Sequence, residues 1–256
     1  MSKGIDVSKH NGVIDWNAVK QSGEVDFAIL RAGYGKIISQ KDVQFEANYR
    51  GAKAAGIPVG AYWYSYAITP AEATAEAYTF LECIKGKTFE FPVYFDIEER
   101  SALATGQKNC TAMCKAFCEV MEKAGYWVGI YGSRAVIESF IDNETQNRYA
   151  IWAAEWGKKL NYHGEAGIWQ YSEKGSIPGI SGAVDLDISY IDYPARVKAA
   201  GKNGFKKPET SNVKQLPYIP GITVSDVSSY LSWCAEKGAG NYEDTEDGFN
   251  AFLDKR

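Results

Sequence analysis

No apolar stretch in this 256-residue chain approaches the roughly 20 residues that a helix needs to cross a bilayer. Membrane insertion is therefore not expected. Positive charge is also short: 28 Lys and Arg stand against 32 Asp and Glu, a net charge of −4. A general nucleic-acid binder needs a basic surface to neutralise phosphates, so that class is excluded. Histidine is scarce, with only His10 and His163. The five cysteines are an odd number. Cys110, Cys114 and Cys118 recur at i, i+4, i+8, which makes one stripe of a helix rather than a set of disulfide partners. With no histidines nearby to complete a metal site, they are expected to be small buried hydrophobes in a reducing compartment. No metal and no cofactor are called for. The Gly-rich dinucleotide fingerprint is missing too, since Gly33-Tyr34-Gly35 lacks the third glycine and the helix start. Finally, Met1-Ser2-Lys3 leads straight into a strand-like segment, without the apolar core of a secretory signal. Synthesis in the cytoplasm, with action elsewhere only after release, is the expectation.

What the chain does contain is an alternation of strand-like and helix-like segments. Strands are expected at Gly4–Ser8, Asp26–Ala32, Ile57–Tyr66, Phe91–Ile97 and Tyr126–Tyr131. Helices are expected from about Asp15, over Val43–Ala55, Pro70–Ile84 and Asn109–Ala124, and around Arg134–Phe140. Thr69-Pro70 is an N-cap followed by a first-turn proline. Three further strands, Tyr149–Ala154, Gly167–Tyr171 and Ala183–Ile188, follow with only short connections. Near-continuous apolar strands alternating with helices indicate an α/β fold with a mainly parallel sheet covered by helices. Eight strands suit closure into a β/α barrel whose last strands lack helices; a doubly wound open sheet is the alternative.

One segment stands out. In Phe91-Pro92-Val93-Tyr94-Phe95-Asp96-Ile97-Glu98-Glu99, an apolar run ends in two carboxylates at i, i+2, which share a face in a strand. Neighbouring carboxylates cannot both ionise cheaply, so one holds its proton. A proton donor beside an anion is what glycosidic cleavage requires. Taken alone, Asp-x-Glu after a strand is more often an acidic strand end facing water. The other strand ends shift that balance. They carry Asp6, Arg31, Tyr62 and Tyr64, Tyr131, Trp152 and Glu155, Gln170, and Asp185 and Asp187. In a barrel the carboxyl ends of the strands hold the chemistry, and the first and eighth strands meet, bringing Asp6 and Asp185 together. Flat rings beside carboxylates suit a sugar site, with aromatic faces for the pyranoses and polar groups for the hydroxyls. Arg31 is equally able to pair with a strand-end aspartate. Trp63, Trp169 and His10 are expected to be structural, and Glu99 to point away from Glu98.

The catalytic barrel is expected over residues 1–200 and a linker over 201–212, where Gly, Lys and Pro recur without periodicity. Residues 213–256 carry a small helical pattern, with Val227, Tyr230, Leu231 and Cys234 at i, i+3, i+4, i+7 and Ser225 as N-cap. This tail is acidic, so self-association or docking through its apolar stripe is expected ahead of charge-driven binding to an anionic polymer.

Several motifs, in order, resemble glycoside hydrolase family 25, the N-acetylmuramidases of phage endolysins and bacterial autolysins. They are Gly4-Ile5-Asp6-Val7-Ser8, Phe27-Ala28-Ile29-Leu30-Arg31-Ala32-Gly33, Gly56-Ile57-Pro58-Val59-Gly60-Ala61-Tyr62, Tyr94-Phe95-Asp96-Ile97-Glu98, Ile151-Trp152-Ala153-Ala154, and Ile168-Trp169-Gln170-Tyr171 leading to Val184-Asp185-Leu186-Asp187. The resemblance covers about residues 3–192 and implies an irregular eight-stranded barrel. It also implies hydrolysis of the β-1,4 bond between N-acetylmuramic acid and N-acetylglucosamine in peptidoglycan. Glu98 is then the general acid, its proton retained chiefly by Asp96. Asp96 either attacks C1 or orients the substrate's own 2-acetamido group to do so. Asp6, Asp185, Tyr62, Tyr64, Arg31, Tyr131, Trp152 and Gln170 are the implied substrate contacts. Two features depart from the family pattern: the aromatic run Tyr62-Trp63-Tyr64, and Asp187 where asparagine is usual. The rival readings are a non-catalytic wall-binding barrel and a hydrolase of another N-acetylated glycan.

Overall fold

The structure is a computed structural model that describes residues 1–207. The expected linker beyond residue 207 and the helical tail lie outside the described residues. Eight strands form a closed barrel in sequence order: β1 (Ser2–Val7), β2 (Phe27–Tyr34), β3 (Val59–Tyr64), β4 (Val93–Asp96), β5 (Val128–Ser133), β6 (Ala150–Ala154), β7 (Ile168–Gly175) and β8 (Val184–Ser189). The helices between them are α1 (Trp16–Ser22), α2 (Phe45–Ala54), α3 (Pro70–Ile84), α4 (Arg100–Leu103), α5 (Gln107–Lys123), α6 (Arg134–Phe140) and α7 (Asn143–Arg148); α8 (Tyr193–Ala200) follows the last strand. None of the described helices is long and apolar enough to cross a membrane.

Local chemistry accounts for the helix boundaries. Asp15 accepts from the backbone N–H of Asn17 and Ala18 at the start of α1, and Thr69 Oγ1 accepts from Glu72 N at the start of α3. α3 and α6 have the limits the sequence indicates. Three short helices, α4, α7 and α8, were not foreseen. α7 and α8 each begin at an aspartate cap, Asp142 to Thr145 N and Asp192 to Ala195 N, a signal present in the sequence. α8 is therefore a helix after the last strand, where none was expected.

Strand alternation sorts side chains to two cores. Along β4, Val93 and Phe95 face outward to the helices while Tyr94 and Asp96 face into the barrel; along β2, Ala28 and Leu30 face out while Phe27 and Ile29 face in. Both faces are covered, which explains the near-continuous apolar runs. The interior is filled by Phe27, Ile29, Phe91, Tyr94, Trp152, Ile168 and Tyr193. Gly129 makes room there, because a Cβ at that position would overlap the Tyr94 ring. The cysteine stripe Cys110, Cys114 and Cys118 is buried and free, as its helical spacing indicates.

Six neighbouring strand pairs, from β1–β2 to β6–β7, are parallel, while β8 runs antiparallel to both β7 and β1. The β7–β8 connection has no crossover helix, and a short connection can join only antiparallel strands. This corrects the expectation that the eighth strand presents its carboxyl end with the others. Its amino end does so, and Asp185 stands directly opposite Asp6 while Asp187 lies opposite Gly4, one layer deeper.

The first residues of the expected linker pack on the barrel. Asn203 is fully buried with a left-handed backbone (φ 55). It donates to Phe91 O at 2.8 Å and accepts from Trp127 N at 2.6 Å, and its own carbonyl accepts from Phe89 N at 3.1 Å.

Candidate active site

At the end of the barrel where the parallel strands finish, inward-facing positions change from apolar to polar. Ile29 is followed by Arg31, Gly60 by Tyr62 and Tyr64, Tyr94 by Asp96, Gly129 by Tyr131 and Ile168 by Gln170. These side chains line a cleft of about 440 Å³ together with Asp6, Glu98, Trp152 and Asp185. The two implied catalytic residues and the eight implied substrate contacts thus converge on one cavity. Asp187 does not line it. It is fully buried beneath and accepts from Trp152 Nε1 at 2.8 Å. Glu155, also at a strand end, turns away to Arg134 Nε at 3.0 Å.

The chain leaves β4 at Asp96, so Glu98 stands on the following turn at the cleft mouth rather than on the strand. Asp96 is nearly closed off, 2% exposed, whereas Glu98 is exposed within the concavity. Burial pushes the Asp96 carboxyl well above the usual carboxylate range; the Glu98 charge adds to this, and the Arg31 guanidinium opposes it. The Glu98 carboxyl is also raised, first by desolvation within the cleft, then by Glu99 and Asp185, against Arg31. The proton on Glu98 was expected to be held chiefly by Asp96. Desolvation comes first, and Glu99 is the charge that raises it most, while the Asp96–Glu98 repulsion falls on the more deeply buried Asp96. Glu99 is turned to Tyr64, whose hydroxyl donates to its carboxylate at 2.9 Å.

The remaining polar groups form a connected wall. Gln170 Nε2 donates to Asp6 at 2.8 Å, and its Oε1 accepts from Tyr131 OH at 3.1 Å and Trp156 Nε1 at 3.3 Å. Arg31 lies over the rings of Tyr34 and Tyr64, each at 5.3 Å. Tyr62 and Tyr131 both meet Trp152, at 5.9 and 4.3 Å between ring centres. Trp63 and Trp169 are buried, 0% and 6% exposed, consistent with a structural place.

Sequence reasoning missed part of the lining. Ser8, His10 and Asn11 sit on the turn after β1, and Trp156, Glu173 and Ala183 complete the rim. His10, weighed as structural, is exposed at the cleft wall. The polar run Ser8-Lys9-His10-Asn11 directly after Asp6 was the available signal.

The chain's residues 5–180 match the model of glycosyl hydrolases family 25. The chain belongs to this family. The autolytic lysozyme of Clostridium acetobutylicum is 32% identical over 186 residues, which cover 72% of this chain and 55% of that protein. The chain thus spans about half the length of that relative. Among solved structures, the CTP1L endolysin superposes with a TM-score of 0.68 at 29% identity, covering 78% of this chain and 70% of that one. The modular autolysin LytC of Streptococcus pneumoniae, solved with a synthetic peptidoglycan ligand, superposes with a TM-score of 0.66 at 28% identity, covering 74% and 46%. The family fold and the barrel described above agree.

Proposed function

We propose that this family 25 barrel hydrolyses peptidoglycan as an N-acetylmuramidase, cutting the β-1,4 bond from N-acetylmuramic acid to N-acetylglucosamine. The observation that carries this reading is the pair Asp96 and Glu98 in one cleft walled by Tyr62, Tyr64, Tyr131 and Trp152. Glu98, at the open mouth with a raised pKa, is the general acid that protonates the leaving oxygen. Asp96 is the accompanying carboxyl group: burial and Glu98 favour its neutral form, and the Arg31 guanidinium opposes them and favours the anion that orienting an N–H requires.

A nucleophile must reach C1 to bonding distance, and Asp96 is only 2% exposed. Its burial favours orientation of the substrate's 2-acetamido N–H, with the acetamido oxygen attacking C1, over direct attack by the carboxylate. The oxazolinium ion so formed is opened by water, and Glu98, now the anion, takes the water's proton. Asp6, Asp185, Gln170 and Arg31 hold the sugar hydroxyls and the aromatic walls hold the apolar sugar faces. Bacterial cell wall is the implied partner, reached after release from the cytoplasm.

Borohydride reduction of digested walls tests the bond assignment. Muramitol is the expected product. Glucosaminitol moves the chain to another glycosidase class, and new peptide termini without either alcohol remove it from the glycosidases. No product at all favours a wall-binding barrel.

A further inference from the structure

The buried face of α3 is apolar except at one position. Ala73, Ala77, Phe80, Cys83 and Ile84 are buried there, and among them stands Glu76, 1% exposed. The catalytic scheme above does not use this acid. Its Oε1 accepts from the backbone N–H of Tyr66 at 2.9 Å, and its Oε2 is buried without a partner among the described residues. A carboxyl buried among apolar side chains costs free energy that a leucine of similar volume would not. What the carboxyl provides, and a leucine cannot, is an acceptor for the Tyr66 N–H.

That bond closes the turn from β3 to α3 behind the cleft mouth. Ser65 N donates to Asp96 O at 3.0 Å, and Ser65 Oγ accepts from Ala67 N at 3.1 Å. The turn is thus tied to β4 on one side and to α3 on the other. Tyr64, the last residue of β3, lines the cleft. The Tyr66 ring lies against Tyr64 at 5.1 Å and against Tyr34 at 5.7 Å between ring centres. Those are the two rings over which Arg31 lies, each at 5.3 Å. Arg31 Nε is buried without a hydrogen-bond partner among the described residues, so the ring contacts carry its placement. We propose that Glu76 is a positioning residue of the cleft: by holding the Tyr66 backbone it sets the cradle of Tyr34, Tyr64 and Tyr66 that keeps the Arg31 guanidinium in place at the sugar site.

The Tyr66 side chain is itself half exposed, and the backbone bond keeps its ring from turning out to solvent. Burial pushes the Glu76 carboxyl up to about 7. A proton on Oε2 leaves Oε1 a carbonyl acceptor, so the bond to Tyr66 persists in either form. Glu76→Gln reproduces the neutral form and keeps the acceptor. Glu76→Leu removes it and leaves the Tyr66 N–H unpaired.

Nuclear magnetic resonance of the Arg31 Nε–H group tests the positioning without reference to the reaction. The signal is assigned by its loss in Arg31→Lys. In wild type and Glu76→Gln it is expected to be displaced from the free-arginine value by the ring currents of Tyr34 and Tyr64. In Glu76→Leu it should return at least about halfway to that value, with the backbone amide spectrum otherwise preserved away from the turn. A folded leucine variant in which the Arg31 signal stays put overturns the proposal, and so does an equal displacement in the glutamine variant. If the leucine variant does not fold, Glu76→Asp, which withdraws the acceptor by one methylene, decides on the same signal.

The catalytic consequence rests on the muramidase reading, in which Arg31 favours the Asp96 anion and holds sugar hydroxyls. Glu76→Leu should lower kcat/KM on cell walls at least about tenfold, with Glu76→Gln within about twofold of wild type. Undiminished activity in the leucine variant overturns the catalytic consequence. If wild type cuts no glycan strand, the muramidase reading falls, and the Arg31 signal still decides whether Glu76 sets the cradle.

Discussion

On the muramidase reading, a buried acid and an exposed acid two residues apart take different tasks. Asp96 is closed in by the barrel and beside Arg31, whereas Glu98 stands on the turn that follows, where a leaving oxygen can reach it. Substituting Glu98→Gln removes the transferable proton and keeps the shape. Turnover of cell walls should drop by roughly 10²–10⁴-fold, with circular dichroism and Tm unchanged. Clearing of walls at the wild-type rate would reassign the acid. Glu99 matters in a different way. It accepts from Tyr64 and is the charge that raises Glu98 most. Glu99→Gln should therefore lower the pKa of Glu98 and bring the alkaline limb of the pH–activity profile to lower pH. An unmoved limb would show that Glu99 does not help to hold the proton.

At the scale of elements, the barrel is held at its far end by a residue outside any strand or helix. Asn203 follows α8 and joins the segments before β4 and β5, bonding Phe91 O and Trp127 N. Asn203→Ala leaves both backbone groups without a partner and puts alanine in a left-handed conformation. Two unpaired buried groups at about 1–3 kcal/mol each should lower Tm by roughly 5–15 °C for a domain of this size. Calorimetry checks this; a shift under about 2 °C would mean that the segment contributes little. The elements themselves were legible where the pattern was long and capped. α3 follows from Thr69-Pro70 and its apolar stripe, and the strands from their apolar runs. α4, α7 and α8 were not seen because each is short and carries little periodicity, although Asp142 and Asp192 mark the starts of two of them.

For the molecule as a whole, the cleft and the layer beneath it concentrate carboxyl groups whose pKa values are raised by burial. Asp185 is pushed up to about 6 and Asp187 to about 8, and Asp6 and Asp96 are raised as well. A group with a raised native pKa binds its proton in the folded state while the unfolded chain has already released it. Stability is therefore lost as pH rises from about 4 through these values. The surface carboxylates Glu46, Glu72, Glu138, Asp142 and Glu155 have lowered pKa values, so their contribution is lost as pH falls below about 4. Maximum Tm is thus expected near pH 5, and a scan of melting temperature against pH checks it; a maximum above pH 8 would contradict the buried acids. All cleft residues lie before position 186. Truncation after Asn212 should leave wall-lytic activity within about threefold of the full chain. Light scattering on both forms then tests self-association through the tail, which equal monomer masses would exclude.

By itself the sequence determined which residues could share a face and which would be inside. Period-two alternation put Tyr62 with Tyr64 and Asp185 with Asp187, and apolar runs with capped helices indicated the barrel. Alternation is a property of the backbone and needs no neighbours. Depth and direction are different, because they depend on which strands pair and which way each runs. Only the tertiary structure showed that β8 is antiparallel, that Asp185 consequently reaches the cleft while Asp187 is sealed against Trp152, and that His10 and Trp156 complete the rim. The same holds for the protons. Two aspartates on one strand are alike in sequence, but the loss of water around each is set by the strands that close over it, and that decides which of them can ionise.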